Sequence, residues 1–321
     1  MSLTSKLEGG NDVLLSKTAD DFRTRTVIAR IDGNNLVLDY GKQDISFPEM
    51  TDLRTRCPIH TIAENMFGEG HAFANLGVSA RITTKVYDEG RDVLLLVKQE
   101  RKDFDDGAAF VAKHISGYVS TDELMYPHRA ALLEVAEELL VVDQEGRLVG
   151  GKFEEAILPR PYVDAPGIAY NTADTYTLIP ERSAIARDLG MRRLNVVHGS
   201  HPEILPCEYY VDARHNCLQL VYDFRLSWPE PKETWLGHAE ASLAHAEDTF
   251  EDGQLRVRYV PQGIFIIPID GGTVKDRAYA FDNGKPVTWD QPLHLSEAFI
   301  VQSEFGVRSA VQDSVDLVNV R

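Results

Sequence analysis

Residues 110–142 read FVAKHISGYVSTDELMYPHRAALLEVAEELLVV, and the reading of this stretch decides the fold. Its second half, 131–142, has the pattern of a helix with two unlike sides. Glu134, Glu137 and Glu138 stand at i, i+3 and i+4, on one face. Val135, Leu139 and Val142 lie opposite. Ala131, Leu132, Ala136 and Leu140 widen the apolar surface, so the polar stripe is narrow. The three carboxylates repel one another at roughly 0.2–0.5 kcal/mol per pair, and no Lys or Arg lies among them. A hard divalent cation such as Mg²⁺ relieves that repulsion, because it takes carboxylate and water oxygens as ligands. The other reading is a solvated acidic face on a core helix, since glutamate is a good helix former.

The residues in front of the helix add to this pattern. Gly117 is followed after five residues by Glu123, and then by Leu133-Glu134-Val135-Ala136-Glu137-Glu138. This resembles the box of the Nudix (MutT-like) hydrolase superfamily, here spanning residues 117–141 in degenerate form. The Ala130-Ala131 pair and the run Glu-Val-Ala-Glu-Glu-Leu are also typical of that family. The box departs from the family's pattern at three points. Leu133 stands where the family has an arginine, and Leu140 where it has a late glycine. Nine residues separate Glu123 from Leu133, more than the family places there. The resemblance implies that Glu134, Glu137 and Glu138 hold Mg²⁺ or Mn²⁺, with Glu134 the group that assists proton removal. It leaves Glu123 as an accessory residue without its arginine partner.

Composition sets outer bounds. The chain of 321 residues has room for a sizeable core, and 43% apolar with 26% charged residues is the balance of a globular protein. A net charge of −17 argues against a nucleic acid polymer or an anionic membrane as partner. It does not exclude a small phosphorylated substrate, because a bound cation and local lysines invert the field inside a pocket. Cys57, Cys207 and Cys217 are odd in number and far apart, so neither a zinc knuckle nor a disulfide scaffold is expected. No signal pattern or membrane-length apolar run is evident, and a cytoplasmic location is expected.

Along the chain, residues 1–20 read as a loose lead-in. Segments 26–31 and 36–40 read as strands around the turn Asp32-Gly33-Asn34-Asn35, with 45–47 as a third. A helix is expected near 61–66. Segments 78–87 and 92–98 form a hairpin through a turn at 88–91, the way Nudix domains begin. Residues 151–180, rich in Pro, Gly and Tyr, read as irregular, and 182–189 as a short helix. Segments 208–211 and 217–226 read as strands, the second central. Residues 233–250 read as a helix, and 255–269 as two strands broken at Pro261-Gln262-Gly263. Closing helices are expected at 294–301 and 307–318.

Other candidate groups are weighed against plainer readings. His238, Glu240, His245 and Glu247 read as the solvated face of the 233–250 helix, since the H-E-x-x-H spacing is absent. His198-Gly199-Ser200-His201 reads as a solvated loop, and Ser200 lacks the glycine frame of a nucleophile elbow. Lys113 precedes the box glycine, where it would either meet a phosphate at the mouth of the pocket or be the exposed end of a strand. The resemblance also implies a further acidic ligand from a downstream loop, and Glu230 and Glu233, just after the 217–226 strand, are the nearest candidates.

The expected fold is therefore α/β (α+β), a Nudix-like mixed sheet between helices. Residues 1–77 form a β-rich extension, and 78–321 a Nudix-like domain with an irregular insertion at about 143–207. The expected activity is metal-dependent hydrolysis of a phosphoanhydride in a nucleoside diphosphate derivative or similar organic pyrophosphate. Gly117 and Lys113 would face the phosphates. The alternative is an inactive Nudix-like binding or regulatory module, and a third is a protein whose acidic stripe is only a solvated face. The extension is a candidate interface for a homodimer, and the substrate is not specified by the sequence.

Overall fold

The structure, a computed structural model, describes residues 13–18, 21–55, 57–85, 92–100, 110–162, 168–181, 195–198, 201–202, 205, 207–212, 215–229, 234–243, 254–260, 262–270, 273–274, 279–282, 285–288, 294–296, 300–303, 306–309 and 314–316. It is an α+β protein built mostly of strands. Three α-helices lie among the described residues, Phe47–Leu53, Ile59–Met66 and Pro127–Glu138. No helix among them is long and apolar enough to cross a membrane.

The centre is the strand Asn75–Lys85, buried along its length as far as the exposed Lys85. A strand covered on both faces loses the simple in–out alternation, and Val78, Ile82, Thr83 and Thr84 suit a pleated, buried surface. Along one edge it pairs in parallel with Cys217–Ser227, setting Leu76 beside Leu218 and Arg81 beside Asp223. The other edge is shared between two strands. Ile115–Tyr118 takes the first half, with Gly117 opposite Val78, and Asp92–Glu100 takes the second, with Ile82 opposite Leu95. Phe110–Lys113 pairs with Asp92–Glu100 before the chain passes through His114 onto the central strand.

From Cys217–Ser227 the pairings run outward through Tyr170–Pro180, Leu148–Phe153, Leu139–Asp143, Thr234–Leu243 and Gln254–Val260 to Val13–Thr18. A smaller sheet joins Val27–Asp32, Asn35–Tyr40 and His71–Phe73 with Asn195–His198 and His201–Pro202. Its hairpin turns at Gly33, whose φ of 58° lies in the left-handed region that glycine adopts without a steric cost. The Tyr40 hydroxyl donates to the Leu124 carbonyl at 2.8 Å, fastening this sheet to the loop ahead of the Pro127–Glu138 helix.

Arg81 is among the largest fully buried side chains, 1% exposed. Its Nε and Nη2 donate to the two carboxylate oxygens of Asp223 at 2.5 and 2.9 Å, and Nη2 also lies 2.9 Å from Glu208 Oε2. Burial alone would lower its pKa, but the Asp223 hydrogen bond and charge, then Glu208, outweigh it and hold the guanidinium charged. Beside it, burial and then the Arg81 charge push His114 down to about 3, so that imidazole is neutral.

Several expectations are corrected. The site helix ends at Glu138, and Leu139–Asp143 is a strand buried throughout. The apolar run Leu139-Leu140-Val141-Val142 can continue a helix or fill a strand buried on both faces, and periodicity does not separate the two. Here it has apolar partners on both sides: Leu139 and Val141 join the main core, and Leu140 and Val142 pack with Tyr162 and Ala239. Residues 234–243 are a strand, not a helix. The alanine content favours a helix, but the strands on either side override that propensity. The expected closing helices are replaced by the strands His294–Ser296, Ile300–Ser303, Gly306–Ser309 and Ser314–Asp316, in keeping with their β-branched residues. Within the expected lead-in, Val13–Thr18 is a strand, and Tyr170–Pro180 is a long strand in a stretch expected to be irregular. The turn at 88–91 and the helix at 182–189 lie outside the described residues.

Replacing Arg81 with leucine strands Asp223 and Glu208 in the core. The expected loss is about 3–5 kcal/mol, the cost of breaking a buried ion pair by removing one partner. Urea unfolding measures it, and a loss below about 1 kcal/mol would show that the cluster does not hold the central strands.

Candidate functional site

The candidate site is built where the Pro127–Glu138 helix folds back on the Ile115–Tyr118 strand. Pro127 opens the helix at a position where its missing N–H costs nothing. Ala130, Ala131, Leu132, Val135 and Ala136 bury one side of the helix in the core. That leaves Glu134, Glu137 and Glu138 half-buried along another side. At the C-terminal end the Tyr162 hydroxyl donates to the Glu137 carbonyl, satisfying one of the acceptors that a helix end exposes.

Gly117 and Glu134 meet directly. A Cβ placed on Gly117 would overlap the Glu134 carboxylate, so glycine is what lets that side chain lie against the strand. Burial, then the charges of Glu138 and Glu137, push the Glu134 carboxyl well above the usual carboxylate range. Lys113 opposes this shift and Glu123 adds to it, which places both charges within electrostatic reach of Glu134. Lys113 donates from Nζ to Ser116 Oγ at 3.1 Å. The Glu123 carboxylate accepts from Ser120 Oγ at 2.8 Å in the short turn Thr121–Glu123, so its immediate partner is local.

The structure adds a residue that sequence reasoning assigned to a solvated helix. His238 lies on the Thr234–Leu243 strand, opposite Leu139, and its side chain is 2% exposed. Its Nε2 stands 3.5 Å from Glu138 Oε2. Neither ring nitrogen has a hydrogen-bond partner, nor has that carboxylate oxygen. The sequence signal for it was alternation: Leu236, His238 and Glu240 share one face of the strand, and Trp235, Gly237 and Ala239 the other. Alanine-rich composition masked it.

The other sequence candidates fall elsewhere. His198 is buried beside Tyr40, its Nδ1 2.6 Å from the Tyr40 hydroxyl, and serves the small sheet's attachment and not a solvated loop. Glu230, Glu233, Ser200, His245 and Glu247 lie outside the described residues.

The donor set suits a divalent cation in chemistry: three carboxylates and an imidazole, with Glu138 Oε2 and both His238 ring nitrogens buried and without hydrogen-bond partners. It is not converged. Among the described residues no three His, Cys, Asp or Glu side chains are gathered closely enough to hold an ion as they stand, so loading requires side chains to turn. Compared with known proteins, the chain matches no family model, no curated protein and no solved structure.

The raised Glu134 pKa gives a stability test. A carboxyl with a raised folded-state pKa costs nothing while it is protonated in both states. The cost appears as pH climbs above the unfolded value near 4.5 and is complete above the folded value. In chelator, Glu134→Gln is therefore expected to raise Tm at pH 7.5 by roughly 2–4 °C, the shift that 1 kcal/mol produces in a large domain. At pH 4 the gain is expected to vanish. An equal gain at both pH values would mean that the Glu134 charge is not the cause.

Proposed function

We propose that this chain is a Nudix-type hydrolase that cleaves a phosphoanhydride bond in a nucleoside diphosphate derivative or similar organic pyrophosphate. The observation that carries this reading is the seating of the Glu134 carboxylate on Gly117, with Glu137 and Glu138 beside it on the helix. A glycine strand, a loop carrying Glu123 and a helix of three glutamates folded back onto the strand make the arrangement that the resemblance implies. Mixed parallel and antiparallel pairing around the site is the coarser feature that supports this reading.

Glu134, Glu137 and Glu138 would hold Mg²⁺ or Mn²⁺, which supplies charge screening for the diphosphate and a lowered pKa for bound water. The remaining work falls to the chain. Glu134, which the resemblance makes the group that assists proton removal and which lies against Gly117, accepts the proton of the attacking water. The water oxygen forms a bond to one phosphorus. The bridging P–O bond breaks, and the leaving phosphate carries away the electron pair. Gly117 allows close approach because it has no Cβ. Lys113, held over Ser116, meets a phosphate oxygen.

A second reading, a ligand-binding module without turnover, is favoured by Leu133 and Leu140 at the arginine and glycine positions of the box. The unconverged donor set also favours it. Hydrolysis of a panel of nucleoside diphosphate derivatives, nucleotide sugars and dinucleoside polyphosphates, with Mg²⁺ and with Mn²⁺, separates the two. Turnover is expected to fall about 100-fold or more in Glu137→Gln, as for loss of a group that stabilises developing charge. A comparable loss is expected in Gly117→Ala, whose Cβ displaces Glu134. Tight binding without turnover would leave the module reading, and neither would leave only the acidic helix.

A further inference from the structure

We propose that His238 is a nitrogen ligand of the cation site, paired with Glu138, and that it turns the site's preference from Mg²⁺ toward first-row transition cations, Mn²⁺ among them. This rests on the reading that the helix glutamates hold a cation.

The argument starts from unmet bonding capacity. A buried imidazole ordinarily has a partner for each ring nitrogen, because an unpaired buried polar atom forfeits its bonds to water and gains nothing in return. His238 has neither partner, although its side chain is 2% exposed, and Glu138 Oε2 is likewise unpaired at 14% exposure. Their 3.5 Å separation is longer than a good N–H···O hydrogen bond. It is, however, the bite of two ligands on one ion. Donors each about 2.0–2.2 Å from a shared cation stand roughly 3–3.5 Å apart at ligand angles between a right angle and tetrahedral.

The surroundings hold His238 in place. Its strand is paired on both edges, with Leu139 on one side and Val260 on the other. At Gly263 the backbone closes so tightly that a Cβ there would strike the Val260 carbonyl and the His238 Cβ. The adjoining Gln262, at φ 49°, makes that close turn. Because the helix gives way to the next strand at Leu139, Glu138 is delivered to the neighbouring strand's histidine.

The chemistry of the pair sets the preference. Carboxylate and water oxygens suit Mg²⁺, whereas imidazole favours first-row transition ions. A site of glutamates alone discriminates less in that direction.

The test uses the full chain with Mn²⁺ alone and Mg²⁺ alone. Pulsed EPR of the Mn²⁺-loaded protein is expected to show ¹⁴N coupling from an imidazole, absent in His238→Asn. Calorimetry is expected to show Mn²⁺ affinity falling about 10–100-fold in that variant, the scale seen when a group supporting a metal site is removed. Mg²⁺ affinity is expected to change by less than about 3-fold. Should the variant fail to fold, the wild-type spectrum still decides. Mn²⁺ binding without ¹⁴N coupling would overturn the role of His238 while leaving the hydrolase reading intact. No Mn²⁺ binding at all would overturn both.

Discussion

The guanidinium of Arg81, closed between Asp223 and Glu208, is the constraint on which the rest of the molecule depends. It lies on the central strand, and its main partner lies on the strand paired in parallel with it. A parallel pair cannot be set by a tight turn, because its strands are joined by a long crossover. Register must come from side chains. The bidentate Arg81–Asp223 contact sets it here, since a slip of one residue would send one partner to the opposite face. A buried ion pair is weak evidence for net stability, but a mispaired one is costly. The contact therefore acts more by penalising wrong registers than by rewarding the right one.

The site inherits this order. The free edge of the central strand receives the Ile115–Tyr118 strand with Gly117 beside Val78, and Gly117 then receives the carboxylate of Glu134. On the other side of the helix, the run from Leu139 to Asp143 leaves at once as a strand and pairs with Thr234–Leu243. The helix is thus held between two strands of one hydrogen-bonded system. Its three glutamates share one side because the packing of Ala131, Leu132 and Val135 turns another side to the core. Packing thus holds like charges close enough on one helix to push the Glu134 carboxyl upward.

The small sheet is attached to the same place by one network. Tyr40 bonds the Leu124 carbonyl in the loop between glycine and helix, and His198 from the middle of the chain bonds Tyr40. Residues widely separated in sequence thereby meet at the loop that leads into the site.

The acidic helix, the glycine ahead of it, the hairpin of residues 26–40 and the strand at 217–226 were all legible in the amino-acid sequence. Each rests on a local rule of periodicity, turn chemistry or β-branched composition. The mixture of helices and sheet was legible for the same reason. What only the tertiary structure decided was the fate of segments whose local signals conflict. Residues 139–142 and 234–243 carry residues that suit a helix, yet become strands because each finds hydrogen-bonding edges and apolar partners far away in the chain. His238 was hidden with them: read on a helix it faces water, and on a strand it faces Glu138. Local sequence determines what a segment prefers, and long-range pairing determines what it becomes, because edge hydrogen bonds and two-sided burial outweigh the fractions of a kcal/mol that separate intrinsic propensities.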